Sequence, residues 1–313
     1  MIPENKTIAI IGAGLVGRGW ASLFALSGWT VRLYDAMPGQ VERCQAMCRL
    51  ALNDLARYGL AEDANEAFAR IKTSRTMLDA VRDASLVQEN GPETVEAKTA
   101  IYADLDNMAL PDAILASSSS SIVASRFTEK LKGRHRCLVA HPLNPPHLVP
   151  IVELCGAPWT SPEVIAQARA IYESVGQTPI DVRQEIDGFV LNRLQGALLT
   201  EAMRLVGEGY VSPQDLDKAV KDGLGLQWSF IGPFESIELN APGGMQDYLA
   251  RYAGFFERNA RDPAPSTAWQ GAGAAKVLEQ WGRTLEPSEI LARSRARDER
   301  LTLLKAFKKK FKR

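Results

Sequence analysis

Strands and helices alternate over the first 185 residues of this 313-residue chain, a glycine-rich turn joins the first strand to the first helix, and helix patterning alone follows. Together these predict an α/β fold: a doubly wound, mostly parallel sheet domain over residues 1–185, then an all-helical domain over 186–313. The length itself suggests about two domains.

The elements follow in order. Thr7–Ile11 is a continuous β-branched apolar run ending at glycine, the pattern of a parallel strand buried on both faces. Residues 15–27 carry helical periodicity and stop at Gly28. Thr30–Tyr34 is a second strand, closed by Asp35. Pro38 opens a helix running to about Tyr58, and a short helix covers 62–70. Residues 86–89, 113–117, 137–140, 151–155 and 179–182 read as further strands, with a helix near 162–175 before the last of them. After about Gln184 the turns separate only helices. Residues 189–208 place Leu191, Leu194, Leu198 and Leu205 on one helical face. Ser212-Pro213 begins the next helix with an N-cap and a proline at N1. A charged helix from Pro287 to about Lys312 ends the chain, and Trp228, Phe230 and Phe234 read as packing residues of the helical domain.

Lys+Arg and Asp+Glu both total 37. This balance argues against a whole-chain nucleic-acid binder, which is usually basic, and against an acidic disordered protein. Residues 305–313 hold six basic side chains and no acid, so the remainder carries a net charge of −6. That basic end reads first as the solvated terminus of a helix whose dipole its lysines complement, with binding of a nucleic acid or an anionic membrane as the alternative. No apolar run approaches the roughly 18 residues of a membrane span, and residues 1–6 carry no signal-peptide pattern. Cys44, Cys48, Cys137 and Cys155 form no CxxC pair and are too few to staple the chain, so free thiols, a cytoplasmic setting and no metal site are expected, although Cys44 and Cys48 sit four apart on a helix.

Gly12-Ala-Gly14-Leu15-Val16-Gly17 fits GxGxxG, and its context between a strand and a helix makes it a dinucleotide site of Rossmann type. Gly12 permits the tight turn, Gly14 lets a pyrophosphate approach the backbone, and Gly17 lets the helix pack on the strand. The N–H groups at Leu15 and Val16 open the helix and favour an anion. Asp35, at the end of the second strand, suits the two ribose hydroxyls and repels a 2′-phosphate, which points to NAD.

His141 follows a strand at the carboxyl edge of the sheet, where ligands bind in such folds. Glu153 lies within the apolar run 151–155, and a carboxylate there is costly unless paired. The economical partner is His141, whose tautomer and basicity Glu153 would set. On these two residues alone a structural pair and a catalytic pair are both open.

The Gly12–Gly17 turn, the serines 117–121, His141-Pro-Leu-Asn144-Pro and Asp187-Gly-Phe-Val-Leu-Asn192-Arg together resemble the L-3-hydroxyacyl-CoA dehydrogenase family. Gly188-Phe-Val-Leu-Asn-Arg-Leu-Gln195, Val211-Ser-Pro-Gln-Asp-Leu-Asp217 and Phe230-Ile-Gly-Pro233 are most similar to its branch of lambda-crystallin and L-gulonate 3-dehydrogenase. The resemblance implies that His141 is the general base and Glu153 its orienting partner. It implies that Ser120 binds the substrate hydroxyl, with Ser118 or Ser119 as alternatives, and that Asn192 positions the substrate. Glu93, Lys98 and Asn144 match positions on the nicotinamide side of NAD. A homodimer built through the helical domain is likewise implied.

Two departures bear on substrate. Residues 41–60 hold Arg43, Arg49 and Arg57 but no lysine, where acyl-CoA members carry basic side chains for the CoA phosphates. The Gly-rich aromatic ending of those members is also absent. Both weaken a CoA thioester and favour a small polyol or hydroxy acid such as L-gulonate; a 3-hydroxyacyl-CoA or L-carnitine is the alternative substrate. A non-catalytic NAD-binding structural protein is the alternative of another class; the joint presence of Ser120, His141, Glu153 and Asn192 argues against it.

Overall fold

Residues 2–311 are described by the structure, a computed structural model. Lys312 and Arg313, the end of the predicted last helix and of the basic run, lie outside the described residues.

Eight strands form one sheet: β1 (Thr7–Ile11), β2 (Thr30–Tyr34), β3 (Ile71–Thr73), β4 (Leu86–Glu89), β5 (Ile114–Ser117), β6 (Cys137–Pro142), β7 (Ile151–Gly156) and β8 (Thr178–Asp181). Their order is β3-β2-β1-β4-β5-β6-β7-β8. Every pairing is parallel except β6 with β7. The exception has a simple cause. The connection from Pro142 to Ile151 is too short for a crossover helix, so the chain turns back on itself. β3 is a strand that the sequence pattern does not reveal, because three residues, Ile-Lys-Thr, show no periodicity.

The helices α1 (Leu15–Leu26), α2 (Gln40–Arg57), α3 (Ala64–Ala69), α4 (Met77–Val81), α5 (Val95–Met108), α6 (Ser125–Thr128) and α7 (Pro162–Ser174) accompany the sheet. Alternation along each strand sends neighbours to opposite faces. Ile8, Ile10, Leu138 and Ala140 join one apolar cluster with Trp20 and Tyr172, while Ala9, Ile11, Cys137 and Val139 join another with Tyr102 and Phe127. Both faces are therefore dry, as a parallel sheet requires.

The remaining helices are α8 (Leu191–Gly207), α9 (Pro213–Lys218), α10 (Gly225–Trp228), α11 (Pro233–Leu239), α12 (Gly244–Ala260), α13 (Gly271–Trp281) and α14 (Pro287–Lys309), with a π-helical stretch at Ala219–Leu224. The predicted cap at Ser212 is present, its side chain accepting from Asp215 N. Two compact units emerge, and they differ from a plain split at residue 186. The first comprises the described residues up to Asn192 together with those from Pro287 onward; the second is Arg193–Glu286. Helix α14 belongs to the sheet unit because it packs on α2. Leu301 adds to the sheet core, the Tyr58 hydroxyl donates to Glu299, and Lys305 Nζ donates to His147 O at 2.6 Å.

Unit Arg193–Glu286 differs in character. Leu194 is 64% exposed and Phe234 73%, and Trp228, Phe230, Leu226 and Leu239 are exposed as well. Trp228, Phe230 and Phe234, expected to pack, are thus 42%, 61% and 73% exposed within one chain.

Candidate active site

The glycine turn has the geometry its motif demands. Gly12 sits at φ +93°, where a Cβ would lie 2.6 Å from Asn90 O. A Cβ on Gly17 would overlap the carbonyl oxygen of Gly12, so only glycine lets α1 approach β1 this closely. Gly14 is the opposite case: a Cβ there would meet nothing within 4 Å. The first turn of α1, at exposed Leu15 and half-buried Val16, has no side-chain cap and no acid. Its N–H groups thus face open space with positive potential, which fits a pyrophosphate. At the end of β2, Asp35 accepts from Ala13 N at 2.7 Å through Oδ2 and from Met37 N at 2.8 Å through Oδ1. The carboxylate is fixed beside the turn, and each oxygen keeps a lone pair for a ribose hydroxyl. Asn144 contributes a buried Oδ1 with no partner among the described residues, an acceptor that a donor of a bound group would satisfy.

The serine turn after β5 is organised from beneath. Ser118 accepts from Trp20 Nε1 at 3.0 Å and Gln88 Nε2 at 2.7 Å and donates to Asn90 Oδ1 at 2.8 Å, so its hydroxyl is fully engaged in the fold. Ser119 is buried and donates to Glu93 Oε1 at 2.8 Å. The same oxygen accepts from the Ser120 and Ser121 N–H groups, each at 2.9 Å, and from Ser121 Oγ at 3.0 Å. Of the three serines weighed from the sequence, Ser118 and Ser120 are both partly accessible, and Ser120 has the least engaged hydroxyl, at 3.4 Å from Glu93. Burial raises the Glu93 pKa, but the bond from Ser119, the charge of Lys98 and the bonds from Ser121 outweigh it and leave the carboxyl lowered. Asn192, in the first turn of α8, donates from Nδ2 to Ser120 O at 2.6 Å. The structure therefore brings Ser120, Asn192 and Glu93 together. Lys98 is 1% exposed, with Nζ between Glu89 and Glu93.

The β6–β7 hairpin makes the His–Glu pair. Antiparallel register sets His141 directly opposite Glu153, and alternation puts both on the face of Val139 and Cys155. His141 Nδ1 lies 2.6 Å from Glu153 Oε2, both groups being buried. Glu153 Oε1 accepts from Val190 N at 2.8 Å and Leu191 N at 2.9 Å, at the start of α8. Two peptide N–H groups thus hold the carboxylate, which satisfies the helix start and leaves Nε2 as the imidazole nitrogen for chemistry. Phe189 packs its ring 5.7 Å from that of His141, with its backbone at φ +49° beside Gly188 at φ +77°.

Sequence reading missed Glu89, Ser117 and Phe189. A carboxylate closing the apolar run 86–89 was the available signal for the first, the same signal that singled out Glu153. Phe189 stands within the Gly188–Gln195 motif, where nothing local gives it a role. Among the described residues no metal-binding group of His, Cys, Asp or Glu occurs, and the four cysteines are free and buried. No helix of the described residues is long and apolar enough to cross a membrane.

Comparison with known proteins places the chain in a family. Residues 7–186 match the 3-hydroxyacyl-CoA dehydrogenase NAD binding domain, and residues 188–279 match the C-terminal domain of the same family. The chain is 39% identical to lambda-crystallin of Oryctolagus cuniculus over 312 residues, covering 98% of each. It is 37% identical to L-carnitine dehydrogenase of Pseudomonas putida over 252 residues, 80% of this chain and 78% of that one. Among solved structures, a 5-formyl-3-hydroxy-2-methylpyridine 4-carboxylic acid 5-dehydrogenase, described as an NAD+ dependent dismutase, aligns with TM-score 0.80 at 27% identity over 98% of both chains. NAD is the cofactor that the glycine turn, the uncapped first turn of α1 and Asp35 fit. The chain belongs to the 3-hydroxyacyl-CoA dehydrogenase family and is an NAD-dependent oxidoreductase.

Proposed function

We propose that this protein oxidises the 3-hydroxyl of a small, L-gulonate-like hydroxy acid to the 3-keto acid, with His141 as general base. The observation that carries the reading is the buried His141–Glu153 pair, 2.6 Å apart, whose carboxylate is itself held by the Val190 and Leu191 N–H groups. NAD, when bound on the turn of Gly12, Gly14, Leu15, Val16 and Gly17 and beside Asp35, supplies the hydride acceptor. On this reading His141 Nε2 takes the hydroxyl proton and Glu153 stabilises the resulting imidazolium. Ser120 and Asn192 hold the substrate oxygen, and their mutual hydrogen bond keeps them in one geometry. Glu93, Lys98 and Asn144 serve the cofactor side, the first by fixing the serine turn.

A free acid is favoured over a CoA thioester by the surroundings of α2. α14 packs on this helix, and Arg49 stacks 3.8 Å over the Phe68 ring while donating to Asn65 Oδ1 at 2.6 Å. Such an arginine is already engaged, not waiting for a phosphate. The exposed apolar side chains of Arg193–Glu286 support a homodimer through the helical unit. A cytoplasmic setting, from the free thiols, completes the reading.

A substrate panel of L-gulonate, L-carnitine and 3-hydroxybutyryl-CoA, followed by NADH absorbance, tests the reading, with L-gulonate expected to give the highest kcat/KM. His141→Ala should lower kcat by roughly 10²–10⁴-fold, the usual reach of a general base, with NADH affinity by fluorescence unchanged. Preference for the CoA thioester would overturn the substrate, and full activity of His141→Ala would overturn the mechanism.

A further inference from the structure

We propose that Glu89 is a positioning residue for this reaction: through Lys98 and Ser117 it sets the place of Glu93 and of the 119–121 turn, and hence of Ser120 and Asn192. The proposal rests on the reading that puts Ser120 and Asn192 at the substrate.

Glu89 closes β4, and parallel register sets it beside Ser117, which closes β5. It is 0% exposed and accepts four hydrogen bonds. Ser117 Oγ donates to Oε2 at 2.6 Å and Gly91 N donates to Oε1 at 2.6 Å. Lys98 Nζ, reaching in from α5, donates to Oε2 at 3.0 Å and Oε1 at 3.2 Å. The same ammonium lies 3.5 Å from Glu93 Oε2. One buried cation therefore joins a carboxylate rooted in the sheet to a carboxylate in the following loop.

From there the linkage runs outward. Glu93 Oε1 gathers Ser119 Oγ, Ser120 N, Ser121 N and Ser121 Oγ, and Ser120 O receives Asn192 Nδ2. Ser117 Oγ supplies a second tie, accepting from Ser119 N at 3.2 Å. The base of the turn and its latch thus meet at one side chain. Buried ion pairs of this kind add little over apolar packing, so stability alone is a weak reason for three charges under a turn. What the arrangement does supply is a fixed position, with every lone pair directed. Lys98, its ammonium enclosed by two carboxylates, acts as the counter-charge of this linkage and affects the cofactor side through Glu93.

The test uses the full chain without ligand. Glu89→Gln keeps the shape and removes the charge. Hydrogen exchange of the Ser120 and Ser121 amides, both bonded to Glu93, should quicken by about tenfold, the size of losing one charge-assisted bond, while β1 amides stay at the parent rate. In steady state, kcat should fall by a similar factor of about ten. Should Glu89→Gln fail to fold, Ser117→Ala removes one tie and should quicken the same two amides by a few-fold. Parent-rate exchange in these amides, or equal acceleration in β1, would overturn the proposal. A parent protein that turns over no hydroxy acid would sink the reading of the site but not this coupling, which the exchange rates decide.

Discussion

Two histidines six residues apart illustrate how little residue type says without surroundings. His141 has a carboxylate at 2.6 Å. His147 is buried with Nδ1 unpartnered among the described residues, and burial, then the charges of Lys305 and Arg18, push its pKa down to about 3 from 6.5. The sign follows directly. A folded-state pKa below the unfolded one means that the unfolded chain takes up the proton first, so His147 contributes stability in full above about pH 6.5 and loses it as pH falls toward 3. Urea unfolding at pH 7 and pH 4.5 should therefore show a weaker fold at the lower pH, and His147→Leu should shrink that difference. An unchanged pH dependence in His147→Leu would rule the histidine out as its source.

At the scale of elements, the turn between β1 and α1 separates two roles that one motif merges. Gly17 is required by packing, since any Cβ collides with Gly12 O, whereas Gly14 stands at φ −76°, ψ −159° with room for a side chain. Gly17→Ala should destabilise the apo protein by about 1–3 kcal/mol, the usual cost of overpacking, with NADH binding lost alongside. Gly14→Ala should leave apo stability within about 0.5 kcal/mol and weaken NADH binding by about tenfold or more, because its methyl would occupy the cradle. Thermal melts with fluorescence titration distinguish the two; equal destabilisation by both variants would contradict the assignment. The β6–β7 hairpin is the other decisive element. Its reversal sets His141 opposite Glu153, and Glu153 in turn accepts from the Val190 and Leu191 N–H groups, so His141, Glu153 and the residues just before Asn192 are joined.

For the whole molecule, the contrast between the two units carries the expectation of assembly. The sheet unit closes its own core on both faces, while Arg193–Glu286 leaves Leu194, Leu226, Phe230, Phe234 and Leu239 exposed. Such exposed apolar side chains are a common mark of an interaction surface. Sedimentation should give about twice the chain mass, with Phe234→Glu shifting it toward the monomer; a monomer at every concentration would remove the dimer from the proposed function.

Much of the sheet unit is legible in residue order because its signals are local. A strand, a glycine turn and a helix are neighbours along the chain, so Gly12, Gly14, Gly17 and Asp35 announce themselves before any folding is considered. Glu153 and His141 are legible for a different reason, the cost of a carboxylate in an apolar strand. Which of Ser118, Ser119 and Ser120 keeps an available hydroxyl depends on Trp20, Gln88 and Glu93, which come from other elements. The pairing of Glu89 with Ser117, the positive φ of Phe189 and the transfer of α14 to the sheet unit are equally non-local. The sequence alone determined the fold class, the dinucleotide turn and the identity of the His–Glu pair, all written in short-range pattern and in the price of burying charge. Only the tertiary structure decided strand reversal at β6–β7, the engagement of each serine and the surface left bare on the helical unit, because these depend on which distant segments pack together.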